Sequence, residues 1–159
     1  MFSKPVSADF ENYVINPDHT QVMFSVDYLG LGVVRGSFSD FEGIVKYDPS
    51  NESLKDIELS IQVRSIDTQN KKRDHHLRRS DFFYVDKFPQ IHFELKGPIS
   101  FQEKKRLTVN GRLSIKDITK DVTITIESLG NKEDTWKKQN IFFKLHAEIN
   151  REDFGITWN

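Results

Sequence analysis

Leu54–Ile66 reads LKDIELSIQVRSI, and its alternation decides the fold class. Ile57, Leu59, Ile61 and Val63 fall on one face and Glu58, Ser60, Gln62 and Arg64 on the other, the period of two that a half-buried strand requires. The run is long for a strand and polar on one face only. Strands of a parallel sheet covered on both faces are apolar almost throughout, so this pattern points to a curled antiparallel sheet or barrel.

Working outward, the same alternation recurs. Upstream, Val22, Phe24, Val26 and Tyr28 share a face, and Gly30 and Gly32 supply a turn. The next strand carries Phe38 and resumes with Phe41, Val45 and Tyr47. The Phe38-Ser39-Asp40-Phe41 spacing breaks the alternation and predicts a bulge or sharp bend. Downstream, Ile91, Phe93 and Leu95 form one strand, Leu107, Val109, Leu113 and Ile115 another, Val122, Ile124 and Ile126 another, and Phe143, Leu145, Ala147 and Ile149 another. The polar segment Gly130–Asn140, with Trp136, reads as a surface loop. The expectation is an all-β chain: an elongated antiparallel β-barrel of about eight strands with one short inserted helix. Residues 1–12 read as a flexible N-terminal tail and residues 13–159 as the barrel domain.

The insertion lies in Ser65–Phe93, SIDTQNKKRDHHLRRSDFFYVDKFPQIHF. Asp74–Phe83 has helix formers but is too short to be stable alone, so it must lean on the sheet through Phe82, Phe83 and Phe88. Pro89 holds Phe88 extended and returns the chain to the sheet at Ile91. The basic run Lys71, Lys72, Arg73, Arg78 and Arg79 reads first as a solvated face. Its sharper reading is a cation at the barrel mouth meeting an anionic head group.

Composition narrows the function classes. With 23 basic and 24 acidic side chains in 159 residues, no global field draws the chain onto nucleic acid. No cysteine is present, so no disulfide forms. Thirteen phenylalanines against two methionines suit a rigid core or an apolar pocket, and about eight strands can enclose interior volume that side chains leave unfilled. No stretch is long and apolar enough to span a bilayer. Val6-Ser7-Ala8 loosely fits the small-residue pattern that precedes signal cleavage, although a plain tail accounts for it.

Catalytic signals are weak. His75 and His76 point apart on a helix, His92 and His146 face outward, and His19 follows a turn, so no zinc spacing emerges. There is no Gly-x-Ser-x-Gly elbow and no serine beside a histidine in a triad-like setting. A binding protein is the expectation, and an enzyme is not.

An ordered set of motifs then carries a resemblance. Val22-x-Phe24, Gly36-x-Phe38, Phe41-x-Gly43, Ser65-Ile66-Asp67-Thr68, Arg73-Asp74-x-His76-Leu77 with Asp81-Phe82-Phe83, Phe88-Pro89-x-Ile91-x-Phe93, Gly111-x-Leu113, Thr119-Lys120-x-Val122 and Asn150-Arg151-x-Asp153-Phe154-Gly155 follow in sequence. From about Tyr13 to Asn159 the chain resembles the YceI-like, polyisoprenoid-binding family. The resemblance implies a lipocalin-like barrel whose tunnel takes the apolar chain of an isoprenoid, quinone or fatty-acid-like amphiphile. It implies no catalytic residues. No cofactor other than a bound lipid and no stable membrane insertion are expected. A homodimer is compatible with it. Export to the periplasm is common in the family, and members without a signal exist.

Tyr28 stands where the family usually has histidine, Tyr84 follows the two phenylalanines in place of an acid or amide, and Asp117 replaces a frequent glycine. Relatives generally continue past Phe-Gly-Ile with a closing strand, whereas this sequence stops at Ile156-Thr157-Trp158-Asn159. The expectation is therefore a shortened sequence or a barrel closed differently, with an exposed sheet edge and one open flank. The residues expected against the ligand are Phe24, Tyr28, Phe38, Phe41, Ile61, Phe82, Phe83, Phe93, Leu113, Phe143 and Phe154, with Arg35 and Arg73 near the head group. The competing reading is a structural or stress-response interaction domain whose barrel its own side chains fill.

Overall fold

The structure, a computed structural model, describes residues 9–157. The reading of Val6-Ser7-Ala8 as an export remnant lies outside the described residues. The strands are β1 (Glu11–Val14), β2 (Val22–Tyr28), β3 (Gly32–Phe38), β4 (Phe41–Asp48), β5 (Ser53–Gln62), β6 (Ile66–Asp67), β7 (Gln90–Ser100), β8 (Arg106–Ile115), β9 (Ile118–Glu133) and β10 (Gln139–His146), with one α-helix, α1 (Lys71–Leu77). β1-β4-β5-β7-β8-β9-β10 form one sheet and β2-β3-β6 another. Every pairing is antiparallel.

The two sheets are one meander that bends. The path β3–β4 passes from the smaller sheet to the larger across Ser39-Asp40, and β5–β6 does the same across the short 3-10 turn Val63–Ser65. Ser65 locks both bends together: its Oγ accepts from Asp40 N at 3.0 Å and donates to Gln62 O at 2.6 Å, while Gln62 N donates to Asp40 O at 2.8 Å. The bend predicted at Phe38–Phe41 is therefore present, and it curls the strongly twisted sheet into a half-barrel. Among the described residues β2 pairs only with β3, and β10 only with β9, so the open side lies between those two edges.

Inside the curl sit two apolar clusters. One, at the α1 end, gathers Phe38, Phe41, Ile61, Phe82, Ile115 and Phe154 with their neighbours. The other gathers Tyr47, Leu54, Phe93, Leu95, Phe101 and Ile126. Burying each such side chain contributes about 1.5–3 kcal/mol against leaving it in water. Leu54 and Ile57 are both buried despite opposite parity, because β5 carries one extra residue, Lys55, where it passes Lys46 and Tyr47 of β4.

Three local readings change. Strand pairing begins at Glu11, inside the stretch read as a tail, because β1 adds to the edge of β4 with Tyr13 turned toward Tyr47. The helix occupies Lys71–Leu77 and not Asp74–Phe83, because Asn70 Oδ1 accepts from Arg73 N at 3.0 Å and starts it earlier. The Gly130–Asn140 loop shrinks to Asp134–Lys138, since β9 runs to Glu133 and β10 starts at Gln139.

Candidate functional site: an uncovered apolar wall

Val22, Phe24, Val26 and Tyr28 lie on the inner face of β2, as their period of two requires. Phe24 fixes the direction of that face: its ring lies 5.5 Å from that of Phe38, whose ring meets Phe83 edge-on at 6.4 Å. Gly36, paired with Phe24 across β3, makes room for the ring. A Cβ there would stand 2.3 Å from Phe24 Cζ. On β10 the inner residues are Ile141, Phe143 and Leu145. The Phe143 ring sits 5.2 Å from Tyr47 and 5.6 Å from Phe101.

Six antiparallel steps separate the β1–β2 path from β10, so β2 and β10 run in the same direction. Along both, inner-face exposure rises toward the end that carries α1 and the β8–β9 turn. Val22 and Phe24 are half-buried, whereas Val26 is 43% and Tyr28 58% exposed. Phe143 is half-buried, whereas Leu145 is 40% exposed. The half-barrel thus keeps an apolar inner wall on each side of its opening.

The sequence-predicted ligand contacts divide into groups. Phe38, Phe41, Ile61, Phe82, Phe93 and Phe154 are buried in the two clusters. Phe24, Phe83, Leu113 and Phe143 are partly buried and pack on those clusters. Tyr28 stands exposed at the end of β2. Val26 and Leu145, on the predicted inner faces, were passed over for larger aromatics. The signal that finds them is their place on strands whose far edge has no partner.

The two arginines have other surroundings: Arg35 is turned outward and Arg73 is bonded to Thr68. Arg35 alternates with Val34 and Gly36, lies on the outer face of β3 and is exposed. Arg73 donates from Nε to Thr68 Oγ1 and from Nη2 to Thr68 O, both at 2.8 Å. Thr68 also donates from its backbone N, at 2.9 Å, and from its hydroxyl to Asp74 Oδ1, and Asp74 is buried. Arg78 donates to the carbonyls of Arg64 and Ile66 at 3.0 and 3.1 Å. His76 Nε2 meets Asp81 Oδ2 at 2.8 Å, and that hydrogen bond holds the Asp81 carboxyl below the usual range. Arg73-Asp74-x-His76 with Asp81 is thus a clamp that ties α1 and the Phe82-Phe83 turn to the end of β6.

Among the described residues the surface carries shallow grooves. One of about 420 Å³ lies outside the bend and is lined by Ser39, Asp40, Gln62, Arg64, Ser65, Val85 and Pro89. Another, of about 180 Å³, runs beside β9 beneath the segment that follows β10, with Val122, Ile149 and Phe154 among charged neighbours such as Lys120, Asp121 and Glu148. Neither is a long apolar tunnel. Among the described residues no three His, Asp or Glu side chains gather as metal ligands, and no helix is long and apolar enough to cross a membrane.

Comparison with known proteins places this architecture. The YceI-like domain profile matches residues 13–159. Protein YceI of Salmonella arizonae is 33% identical over 139 residues, covering 87% of this chain and 72% of the relative. The crystal structure of the Campylobacter jejuni YCEI protein is similar at 30% identity and a TM-score of 0.72, over 90% of this chain and 83% of that one. A polyisoprenoid binding domain from Saccharophagus degradans, 9% identical, shares the fold at a TM-score of 0.55 over 93% of this chain and 82% of its own. A curled antiparallel meander, a clamped helix inserted after β6 and a profile match over nearly the whole length agree: the chain belongs to the YceI-like domain family.

Proposed function

We propose that this protein binds the apolar chain of a long amphiphile, of isoprenoid, quinone or fatty-acid-like type, against the uncovered inner wall of its half-barrel. The observation that carries the reading is that Val26, Tyr28 and Leu145 face inward yet remain 43%, 58% and 40% exposed. Apolar side chains that face inward and stay in water are those a ligand would cover. A flexible hydrocarbon chain laid along it contributes about 0.8 kcal/mol for each methylene it buries, so affinity grows with chain length and needs few polar contacts. Phe24 and Phe143 form the inner limit of that wall, Phe83 flanks it, and the buried phenylalanines beneath make it rigid.

The head group stays near water at the Tyr28 end, where the phenol offers a hydroxyl. Arg35, turned outward, and Arg73, engaged with Thr68, are not its first partners. The Saccharophagus degradans domain is described as polyisoprenoid binding, and shared architecture supports the same ligand class here. Holding and carrying, not catalysis, is the activity proposed, and a periplasmic setting is proposed on family kinship.

One observation favours a second reading. Phe38, Phe41, Phe82, Phe93 and Phe154 already fill the curl, as a self-filled interaction domain would require. Extraction of the purified protein with organic solvent, followed by mass spectrometry, separates the two. Binding predicts a recovered lipid, or a melting temperature that climbs with the length of an added prenyl or acyl chain. Neither recovery nor a length-dependent rise would leave only the self-filled reading.

A further inference from the structure

The β2–β3 hairpin carries an uncharged run around its turn. Residues 28–34 read YLGLGVV and are bounded by Asp27 and Arg35. β3 pairs with β6 only at Ser37 and Phe38, whereas its pairing with β2 continues to Gly32 opposite Tyr28. Among the described residues, 32–36 therefore pair with β2 alone, and the hairpin ends as a two-stranded ribbon at the α1 end of the half-barrel. On it Leu31 is 98%, Leu29 80%, Tyr28 58%, Val33 47% and Val26 43% exposed.

The turn works against its own local preference. Leu31 N donates to Tyr28 O at 3.2 Å, and the two residues between them, Leu29 and Gly30, take φ of 52° and 70°. A reversal with two positive φ angles favours Asn, Asp or Gly at its first central position, where a leucine meets steric strain. Leu29 bears that strain and, being so exposed, returns no burial to the fold. Leu31 contributes as little. What these leucines serve lies outside the folded chain.

Distribution around the ribbon indicates what the tip meets. Val26 and Tyr28 face inward, Val33 faces outward opposite Asp27, and Leu29 and Leu31 stand at the turn. A protein partner covers one face of a ribbon and leaves the other in water. Apolar side chains on both faces and at the turn suit a medium that surrounds the tip, as the acyl layer beneath lipid head groups does. Shallow entry asks little of the backbone, because the β2–β3 ladder and the Leu31–Tyr28 bond occupy the groups between the strands. Asp27 and Arg35, one of each sign, stop deeper entry. We propose that the β2–β3 hairpin docks the protein reversibly on a lipid bilayer by immersing Leu29 and Leu31, without a need for anionic lipid. Val26 and Tyr28, the uncovered end of the inner wall, then adjoin the acyl layer from which a long chain would enter. For that ligand route the inference rests on the carrier reading, whereas the docking itself does not.

The chain has no cysteine, so L31C takes a single environment-sensitive nitrobenzoxadiazole label at the tip, and E103C takes one at the exposed turn between β7 and β8 as a control. With vesicles of phosphatidylcholine alone, the Leu31 label is expected to shift to the blue and to be quenched by lipid brominated near the top of the acyl chain, while the Glu103 label stays unchanged. In unlabelled protein, L31S weakens co-sedimentation with these vesicles roughly tenfold at an unchanged melting temperature. L29N weakens it by a similar factor yet raises the melting temperature, because asparagine tolerates the left-handed turn. No shift at Leu31, an equal shift at Glu103, or binding only when anionic lipid is added overturns the proposal. So does a dimer that L31S dissociates and vesicles leave unaffected. Solvent extraction tests the carrier reading without vesicles: a protein that yields lipid but ignores bilayers sinks the docking alone, and one that docks but holds no lipid sinks the carrier reading alone.

Discussion

Leu145→Ala tests the inner wall with a magnitude fixed by geometry. Leu145 is 40% exposed, so a bound chain covers that share and folding has already covered the rest. Full burial of a leucine is worth about 2 kcal/mol. The ligand's portion is then about 0.8 kcal/mol, roughly a fourfold rise in Kd, and the fold's portion is about 1.2 kcal/mol of stability. Val26, 43% exposed on the opposite edge, gives roughly a threefold rise on truncation to alanine by the same reasoning. The two lie on different strands with no pairing between them, so the double variant weakens binding about tenfold if one chain spans both walls. Displacement of a solvatochromic dye by a long prenyl alcohol, well below the melting temperature, measures these constants. Met23→Ala, on the outer face of β2 and 63% exposed, serves as the control. Unchanged affinity in the Leu145 and Val26 variants, or an equal loss in the Met23 variant, would refute the assignment of the wall.

Other predictions concern the scaffold. Phe154 is 2% exposed at the centre of the α1-end cluster, so Phe154→Ala lowers stability by about 3–5 kcal/mol in urea unfolding, a loss a surface site would not produce. Gly36→Ala drives a methyl into the Phe24 ring, 2.3 Å from Cζ, and costs about 1–3 kcal/mol; Phe24→Leu in the same chain recovers part of it, and no recovery would assign the cost to backbone strain. The carboxyls of Asp48, Asp81 and Asp134 are held below their usual range, by Asn51, His76 and the Lys138 amide foremost. Because their folded-state pKa values are depressed, their stabilisation is complete above the ordinary carboxylate pKa and fades as pH falls through the depressed values. The melting temperature is therefore expected to hold from neutrality to about pH 5 and to fall below about pH 4. An Asp48, Asp81 and Asp134 to Asn variant, less stable at neutral pH, converges on wild type in acid, and a constant gap would contradict the linkage.

Much of the sheet was legible because half-buried strands print their environment on alternate residues, as Ile57, Leu59 and Ile61 do. The bend at Phe38–Phe41 was legible too, since two aromatics that must both face inward cannot be three apart in a straight strand. β1 was not, because Glu11-Asn12-Tyr13-Val14 buries little and owes its form to the edge of β4. The full length of β9 was hidden for a similar reason: Leu129–Glu133 are exposed, so no apolar period marks them. Helix α1 starts at an Asn70 cap that the charged run obscured. For the site, side-chain size drew attention to phenylalanines, but which inward positions stay uncovered depends on which strand edges find partners. That is a property of topology, and it turns attention to Val26, Tyr28 and Leu145. Arg73 read as a cation near a head group, and its hydrogen bonds to Thr68 make it part of a clamp.

The most direct test of the inner-wall account is photolabelling with a benzophenone-bearing prenyl chain, followed by peptide mapping. The account predicts adducts on β2 at Val26 and Tyr28 and on β10 at Leu145, competed away by unlabelled prenyl alcohol. Competable adducts confined to outer-face positions such as Met23, Arg35 or Lys144, with the inner strands unlabelled, would contradict it.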